Sequence, residues 1–497
     1  MKPWHRPQGG RTQAGLAGTR STACLLPCVA ACMAALALAA AGRGAAAELR
    51  YPIVGTGQTK CYDDRKAIPC PQPGQPFYGQ DAQHPARPPA YRDNRDGTIT
   101  DLNTGLMWVQ ARGAKLTWDN AAAGAAACRV GGHSDWRMPG IKELYSLINF
   151  TGGYHFSAEQ STPYLDTEYF GFVYGDESKG ERGIDCQDWS ATQYLGTTMN
   201  GNATVFGVNF ADGRIKGYPK VTRGPRGPGV FKLYARYVRG NPDYGQNDFH
   251  DNGDGTLTDR ATGLMWSKAD SRVGMNWAAA LAWVQAQNTG KHLGYSDWRL
   301  PNAKELQSIV DYTRAPPVTH SPALASLFEC TALSDGEYPF FWSSTTHLDG
   351  PPDRQGAAAV YVAFGRALGW MQFPPESGNY RLLDVHGAGA QRSDPKTGQA
   401  SDYPHGRGPQ GDVIRIDNYV RLVRNTDPSA VRLVQPDLTP LPASRLPPRR
   451  PNGPPMGLGG SLGGSPSHPI SRTTTTEVLH SRDARRLDAR GWAIIRE

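Results

Sequence analysis

The chain has 497 residues, of which 39% are hydrophobic, with 58 Gly, 40 Pro and a formal net charge of +8. That length accommodates two or three domains, and the Gly and Pro content assigns much of the chain to turns, loops and linkers. The charge sits at the ends. Residues 1–47 carry five Lys/Arg and no acid, and the stretch after Asn425 carries ten Arg against six acids. The middle holds 38 basic against 39 acidic residues, so charge alone argues against a nucleic-acid-binding core, and no nucleic-acid partner is expected.

In chain order, Lys2, Arg6, Arg11 and Arg20 precede an Ala- and Leu-rich run over 22–41, and Ala45-Ala46-Ala47 supplies small residues before Glu48. This order predicts a signal peptide over 1–47 and a mature chain with no transmembrane anchor, found in the periplasm, on the cell surface or secreted. A retained membrane anchor is a competing reading, opposed by Pro27 and the small residues that follow. Lipidation at Cys32 is another, opposed by the continuation of the apolar run past it. Residues 48–91 read as a linker segment. Cys24, Cys28 and Cys32 fall in the signal, which leaves Cys61, Cys70, Cys128, Cys186 and Cys330. Cys61 and Cys70 are close enough to close a small loop, and Cys128 and Cys186 are further disulfide candidates in an oxidising compartment. No Cys-x-x-Cys pair points to a zinc ribbon or a redox motif.

The main signal is an internal repeat. Asp93–Asp101 (DNRDGTITD) returns as Asp251–Asp259 (DNGDGTLTD), and Thr104–Trp108 (TGLMW) returns as Thr262–Trp266. Ser134–Pro139 (SDWRMP) returns as Ser296–Pro301 (SDWRLP), and Lys142-Glu143-Leu144 as Lys304-Glu305-Leu306. Trp189-Ser190 matches Trp342-Ser343. Tyr234, Arg236, Val238 and Arg239 match Tyr419, Arg421, Val423 and Arg424. The order is kept while the loops change length, so the chain carries two copies of one domain, over 92–239 and 250–424. In each copy Asp-Gly and Thr-Gly turns frame a hairpin. An Ala-rich helix follows, over Thr117–Arg129 and Asn276–Gln287, with Thr117 and Asn276 as N-cap types. A second helix follows Trp-Arg-x-Pro, with Ile141, Leu144, Leu147 and Ile148, or Leu306, Ile309 and Val310, on its buried face. Short strands close each copy: Trp189–Thr192, Thr204–Phe210 and Tyr234–Arg239, then Trp342–Thr345, Val360–Phe364 and Tyr419–Arg424. Strands at both ends with helices between them predict an α+β domain whose antiparallel sheet pairs its terminal strands. Residues 426–497 are Pro-, Gly- and Ser-rich and read as a disordered tail.

The ordered set Asp-Gly-Thr-x-Thr-Asp, Thr-Gly-Leu-Met-Trp, Ser-Asp-Trp-Arg-x-Pro, Lys-Glu-Leu and Trp-Ser resembles the bacterial family named for the C-terminal domain of the Legionella collagen-like protein. The resemblance covers 92–239 and 250–424. It implies two tandem C-type-lectin-like domains, secretion, and binding rather than catalysis; the founding member is an adhesin for sulfated polysaccharides. Where many members carry a Cys in the closing strand, this chain has Tyr237 and Leu422, which leaves Cys128 without that partner.

The candidate sites follow by elimination. The Asp-rich turns miss the EF-hand pattern: with Gly97 or Gly255 at its sixth position, Arg92 or His250 falls first and Asn103 or Ala261 twelfth. They read as Asp- and Asn-stabilised turns, and no metal is expected. The Ser-Asp-Trp-Arg-x-Pro segment reads as structure, with the Trp in the core and the Arg forked onto Glu143 or Glu305. No nucleophile elbow, phosphate loop or zinc-protease motif is present, so no enzyme activity and no cofactor is expected. The copy-specific stretches 150–188, 211–230, 313–340 and 371–414 read as recognition loops on a shared scaffold. Ligand-binding candidates are Arg214, Lys216, Lys220, Arg223 and Arg226 for an anionic polymer, and Trp370 for a sugar ring. The expectation is an exported binding or adhesion protein that recognises anionic glycans or other surface polymers; the alternative is an envelope structural or assembly protein that binds proteins through its repeats.

Overall fold

The computed structural model describes residues 49–426, apart from 85, 200, 225, 226 and 375. The expected signal peptide and nearly all of the expected tail lie outside the described residues. The segment read as a linker is instead packed. Tyr51 and Val54 are buried, strands β1 (Cys61–Tyr62) and β2 (Ala67–Ile68) pair, and Cys61 is bonded to Cys70. Cys128 and Cys186, the other disulfide candidates, are free, as is Cys330.

Copy one opens with strands β3 (Tyr91–Asp93), β4 (Thr98–Asp101) and β5 (Met107–Val109). The β3–β4 turn explains the conserved spelling of the repeat. Gly97 takes φ +86°, a left-handed value that suits glycine. Asp96 Oδ1 accepts the Thr98 amide, and Asn94 Nδ2 donates to Thr98 Oγ1 and Thr100 Oγ1. Helix α1 (Trp118–Ala127) is capped by Thr117, whose side chain accepts from the Asn120 amide. Helix α2 (Ile141–Ser146) is short, and Glu143 Oε2 accepts the Gly140 amide at its start.

Strands β6 (Asp188–Thr198), β7 (Asn202–Asn209) and β8 (Arg214–Pro219) form a meander, followed by the hairpin of β9 (Val221–Gly224) and β10 (Gly227–Val230). Closing strand β11 (Val238–Arg239) returns to pair with β5, Val238 opposite Trp108. The terminal strands of the copy therefore pair, as the sequence predicts.

Copy two repeats this plan with β12 (Phe249–Asp251), β13 (Thr256–Asp259) and β14 (Leu264–Ser267), helices α3 (Trp277–Thr289), α4 (Ala303–Ser308) and the short α5 (Pro316–Thr319), then β15 (Phe340–His347) and β16 (Ala358–Ala363). A hairpin of β17 (Leu368–Gln372) and β18 (Tyr380–Asp384) precedes β19 (Gln391–Pro395), and β20 (Val423–Asn425) closes onto β14. The fold is mostly sheet with a few helices, in two tandem domains. The stretches 211–230 and 371–414, expected to be loops, hold β8 to β10 and the end of β17 with β18 and β19.

The two copies share one sheet. Its order is β15-β16-β19-β8-β7-β6, and Gln391 of β19 pairs with Ile215 of β8 at the join. The helices exchange contacts across the same seam. Lys142 Nζ of α2 donates to the Ser308 carbonyl at the end of α4, and Lys304 Nζ of α4 donates to the Ser146 carbonyl at the end of α2. Residues 49–91 brace both copies: Asp81 Oδ2 accepts from Thr56 and from Thr345, and Gln58 Nε2 donates to the carbonyls of Phe150 and Thr346. A single buried apolar cluster runs through Tyr51, Trp108, Leu144, Trp266, Leu306 and Phe341.

Candidate functional site

The repeated motifs are spent on structure. Trp136 and Trp298 are buried at equivalent places, each donating its indole N–H to a carbonyl six residues back, Val130 and His292. Arg137 forks onto both oxygens of Glu143 at 2.6 Å, and Arg299 reaches Glu305 at 2.5 Å. Ser190 and Ser343 donate to the next strand at Phe206 and Val360, while Thr192 and Thr345 accept the first amides of α2 and α4. Arg236 and Arg421, both 0% exposed, donate to backbone carbonyls of the β5 and β14 ends and of Gly171 and Glu329. A candidate site is therefore sought in what differs between the copies.

The cations of 211–230 do not form one surface. Arg214 and Lys216 point inward, with side chains 17% and 12% exposed. Arg214 donates to Asp349 at 2.5 Å and to the Ser393 hydroxyl and His347 Nδ1 at 3.3 Å, and Lys216 donates to Asp212 at 2.6 Å. Burial raises the Asp212 carboxyl, but Lys216, Arg214 and Arg392 outweigh it and hold the group ionised, well below the usual carboxylate range. These two cations are fixtures of the seam, because they lie on strand β8 rather than on a loop. Lys220 sits 3.7 Å over the Trp118 ring and donates to Gln193. Arg223 lies on β9 opposite Pro228, and Arg226 lies outside the described residues.

Trp370 belongs to a more coherent surface. Its strand β17 pairs with β18, which sets Trp370 opposite Leu382 and Gln372 opposite Tyr380 on one hairpin face. The His405 ring stacks flat on Tyr380, with centroids 3.6 Å apart and planes 6° apart, and stands edge-on to Trp370 at 6.4 Å. His405, Leu382 and Arg407 are exposed, and Trp370 and Tyr380 are half-buried. The Trp370 amide donates to the Gly411 carbonyl, which anchors the strand to the loop that carries His405. Two short apolar-rich runs, 368–373 and 380–383, on either side of the turn residues Pro374-Pro375-Glu376-Ser377-Gly378 are the signal that would have revealed this hairpin, and with it Tyr380. His405 is brought in by tertiary contact alone.

Two clefts lie along the contacts between the copies. The larger, about 420 Å³, is lined by Lys142, Tyr244, Asn247, Phe249, Asp311 and Tyr312 among others. The smaller, about 180 Å³, includes Lys60, His155, Thr162 and Gln355. No group of three or more His, Cys, Asp or Glu that could hold a metal ion occurs among the described residues. Burial pushes the Cys330 thiol up to about 12 and the Cys186 thiol up as well, which disfavours the thiolate at both.

The model of the Lcl C-terminal domain matches the chain twice, over residues 97–226 and 255–385. Both matches begin at the glycine of the first turn and stop before closing strands β11 and β20. No curated protein and no solved structure matches the chain.

Proposed function

We propose, from the premise that this chain belongs to the Lcl C-terminal domain family, that it is an exported, non-catalytic binding protein that takes glycan chains on the β17–β18 hairpin. The observation that carries the reading is the Trp370–Tyr380–His405 cluster, two half-buried rings and the exposed His405, on a loop that also carries the exposed Arg407. Flat rings suit the apolar faces of sugars, and a guanidinium suits sulfate or carboxylate groups. The pairing of terminal strands in each copy, with two helices between them and long excursions beyond, supports a C-type-lectin-like scaffold for both. Copy one has no such hairpin before the third strand of its part of the sheet; its own hairpin, β9–β10, follows β8, and its sequence, VTRG and GPGV, carries no aromatic residue.

The test is a glycan array probed with the purified exported protein and with Trp370→Ala. Loss of the ring face is expected to weaken binding by about tenfold, which corresponds to roughly 1.4 kcal/mol. Binding to acidic glycans should also fall with salt, because exposed charges are screened within about 8 Å at physiological ionic strength. Equal binding by the two proteins would reject the hairpin as the site. A protein partner is the second reading. It is favoured by the exposure of Leu382 at 41%, Val221 at 45% and Val230 at 63% on the two hairpins.

A further inference from the structure

Lys142, Asn247 and Asp259 meet where helix α2 of copy one touches the connection between the copies. Lys142 Nζ donates to Asn247 Oδ1 at 2.7 Å, and Asn247 Nδ2 donates to Asp259 Oδ2 at 2.7 Å. Asp259 is fully buried. The Tyr51 ring lies 5.7 Å from the ammonium and packs edge-on against Tyr244. An amine, a carboxamide and a carboxylate are thus held in sequence, with Lys142 Nζ also donating to the carbonyls of Gly245 and Ser308 and Asp259 accepting from Asp248, Ala261 and Thr262.

We propose that Lys142 and Asn247 become joined by an intramolecular isopeptide bond, with Asp259 as the proton carrier. The neutral amine attacks Cγ of Asn247, and the Nζ–Cγ bond forms. The proton that Nζ sheds is taken up by the Asp259 carboxylate and handed to Nδ2, the Cγ–Nδ2 bond breaks, and ammonia leaves. The products are a secondary amide and one ammonia, with no change of oxidation state. When the lysine starts as its ammonium, the ammonia leaves as ammonium. The 420 Å³ cleft is lined by both Lys142 and Asn247 and gives the ammonia a way out.

Three observations support the step. The partners are in contact in the folded chain, so no chain search precedes the reaction. Burial lowers the Lys142 ammonium to about 8, and Asp259 is the first carboxylate that opposes this; a desolvated amine of this kind is a usable nucleophile. Copy two supplies an internal comparison. Lys304, at the same motif position, donates to the carbonyls of Gly55 and Ser146 and meets no carboxamide. Asp101, the counterpart of Asp259, has its Oδ2 buried without a partner. The triad is therefore complete in one place and incomplete at its repeat.

The test is tryptic peptide mapping of the reduced, exported protein by mass spectrometry. The expected product is a branched peptide in which Met138–Lys179, uncut at Lys142, is joined to Gly240–Arg260, lighter than the two together by one ammonia. Lys304 should be cut normally. Recovery of Glu143–Lys179 and Gly240–Arg260 only as linear peptides would overturn the proposal. Lys142→Arg should yield linear Gly240–Arg260, and Asn247→Asp should yield a branch that has lost water instead of ammonia. Asp259→Asn keeps both partners and should remain unjoined in the folded fraction; a branch in that variant would overturn the role given to Asp259. Because Asp259 also holds the turn before β14, Lys142→Arg carries the test if Asp259→Asn does not fold.

Discussion

His347 is fully buried at the seam with its tautomer defined by its neighbours. Its Nε2 faces the Asp212 carbonyl at 2.9 Å and so carries the proton, while Nδ1 accepts from Arg214. A second proton would face that guanidinium. Burial accordingly lowers His347 to about 4, with Asp349 opposing and Arg214 reinforcing the shift. His386 is lowered for the same first reason, with Arg392, Lys216 and Arg214 adding to it. The unfolded chain binds these protons near pH 6.5, so the stability tied to the neutral rings is full above that pH and falls below it, for His347 until pH reaches about 4. For His347 alone the loss amounts to about 3 kcal/mol across that window. Asp384 and Asp394 work the other way. Burial raises both to about 6, so between 6 and the ordinary 3.8 the folded state takes up their protons and gains stability. The histidine effect must therefore be isolated by substitution. The stability advantage of the wild type over His347→Gln, measured by urea unfolding, should shrink steadily from pH 7 to pH 4.5; an advantage constant with pH would rule out a buried neutral histidine here.

At the scale of elements, the repeated sequence is a set of start and stop signals. Thr117 and Asn276 cap α1 and α3 by accepting the amides of Asn120 and Ala279. Replacing either with Ala should cost about 1 kcal/mol in urea unfolding, and the similar geometry of the two caps predicts similar losses. These signals were legible because they are local: a cap, an Asp-Gly turn or a Trp-Arg-x-Pro entry needs only a few neighbouring residues. The elements that escaped were those fixed by distant partners. Strand β8 lies in a stretch rich in Gly and Lys, and it is held on one edge by β19, some 175 residues later in the chain. The segment 49–91 has little periodicity, yet Tyr51, Val54 and Asp81 are buried because two domains close over them. The same limit applied to the site. Trp370 is legible as an aromatic residue at the edge of a copy-specific stretch, whereas its edge-on neighbour His405 follows from the fold alone. Arg214 and Lys216 were read as surface cations because their acids, Asp349 and Asp212, include one 135 residues away.

Over the described residues the chain is a duplicated domain welded into one body. The apolar cluster passes from copy to copy without a break, the sheet runs across the seam, and each short helix has its terminal carbonyl bound by the other copy's lysine. Lys304 is buried to 4% exposure and lowered to about 7, with burial as the first cause and Asp101 and Asp81 opposing it. Removing it strips hydrogen bonds from Ser146 of copy one and Gly55 of the bracing segment at once. Two independent domains would unfold in two calorimetric transitions, whereas a shared core predicts one. Scanning calorimetry of the wild type should therefore show a single peak for the described region. Lys304→Met leaves two buried carbonyls short of a donor, at about 1–3 kcal/mol each if neither finds another. Its peak should shift down as a whole, carrying both copies with it. A Lys304→Met trace that splits, with copy one melting at its wild-type temperature and copy two below it, would show instead that the seam is a contact between two self-sufficient domains.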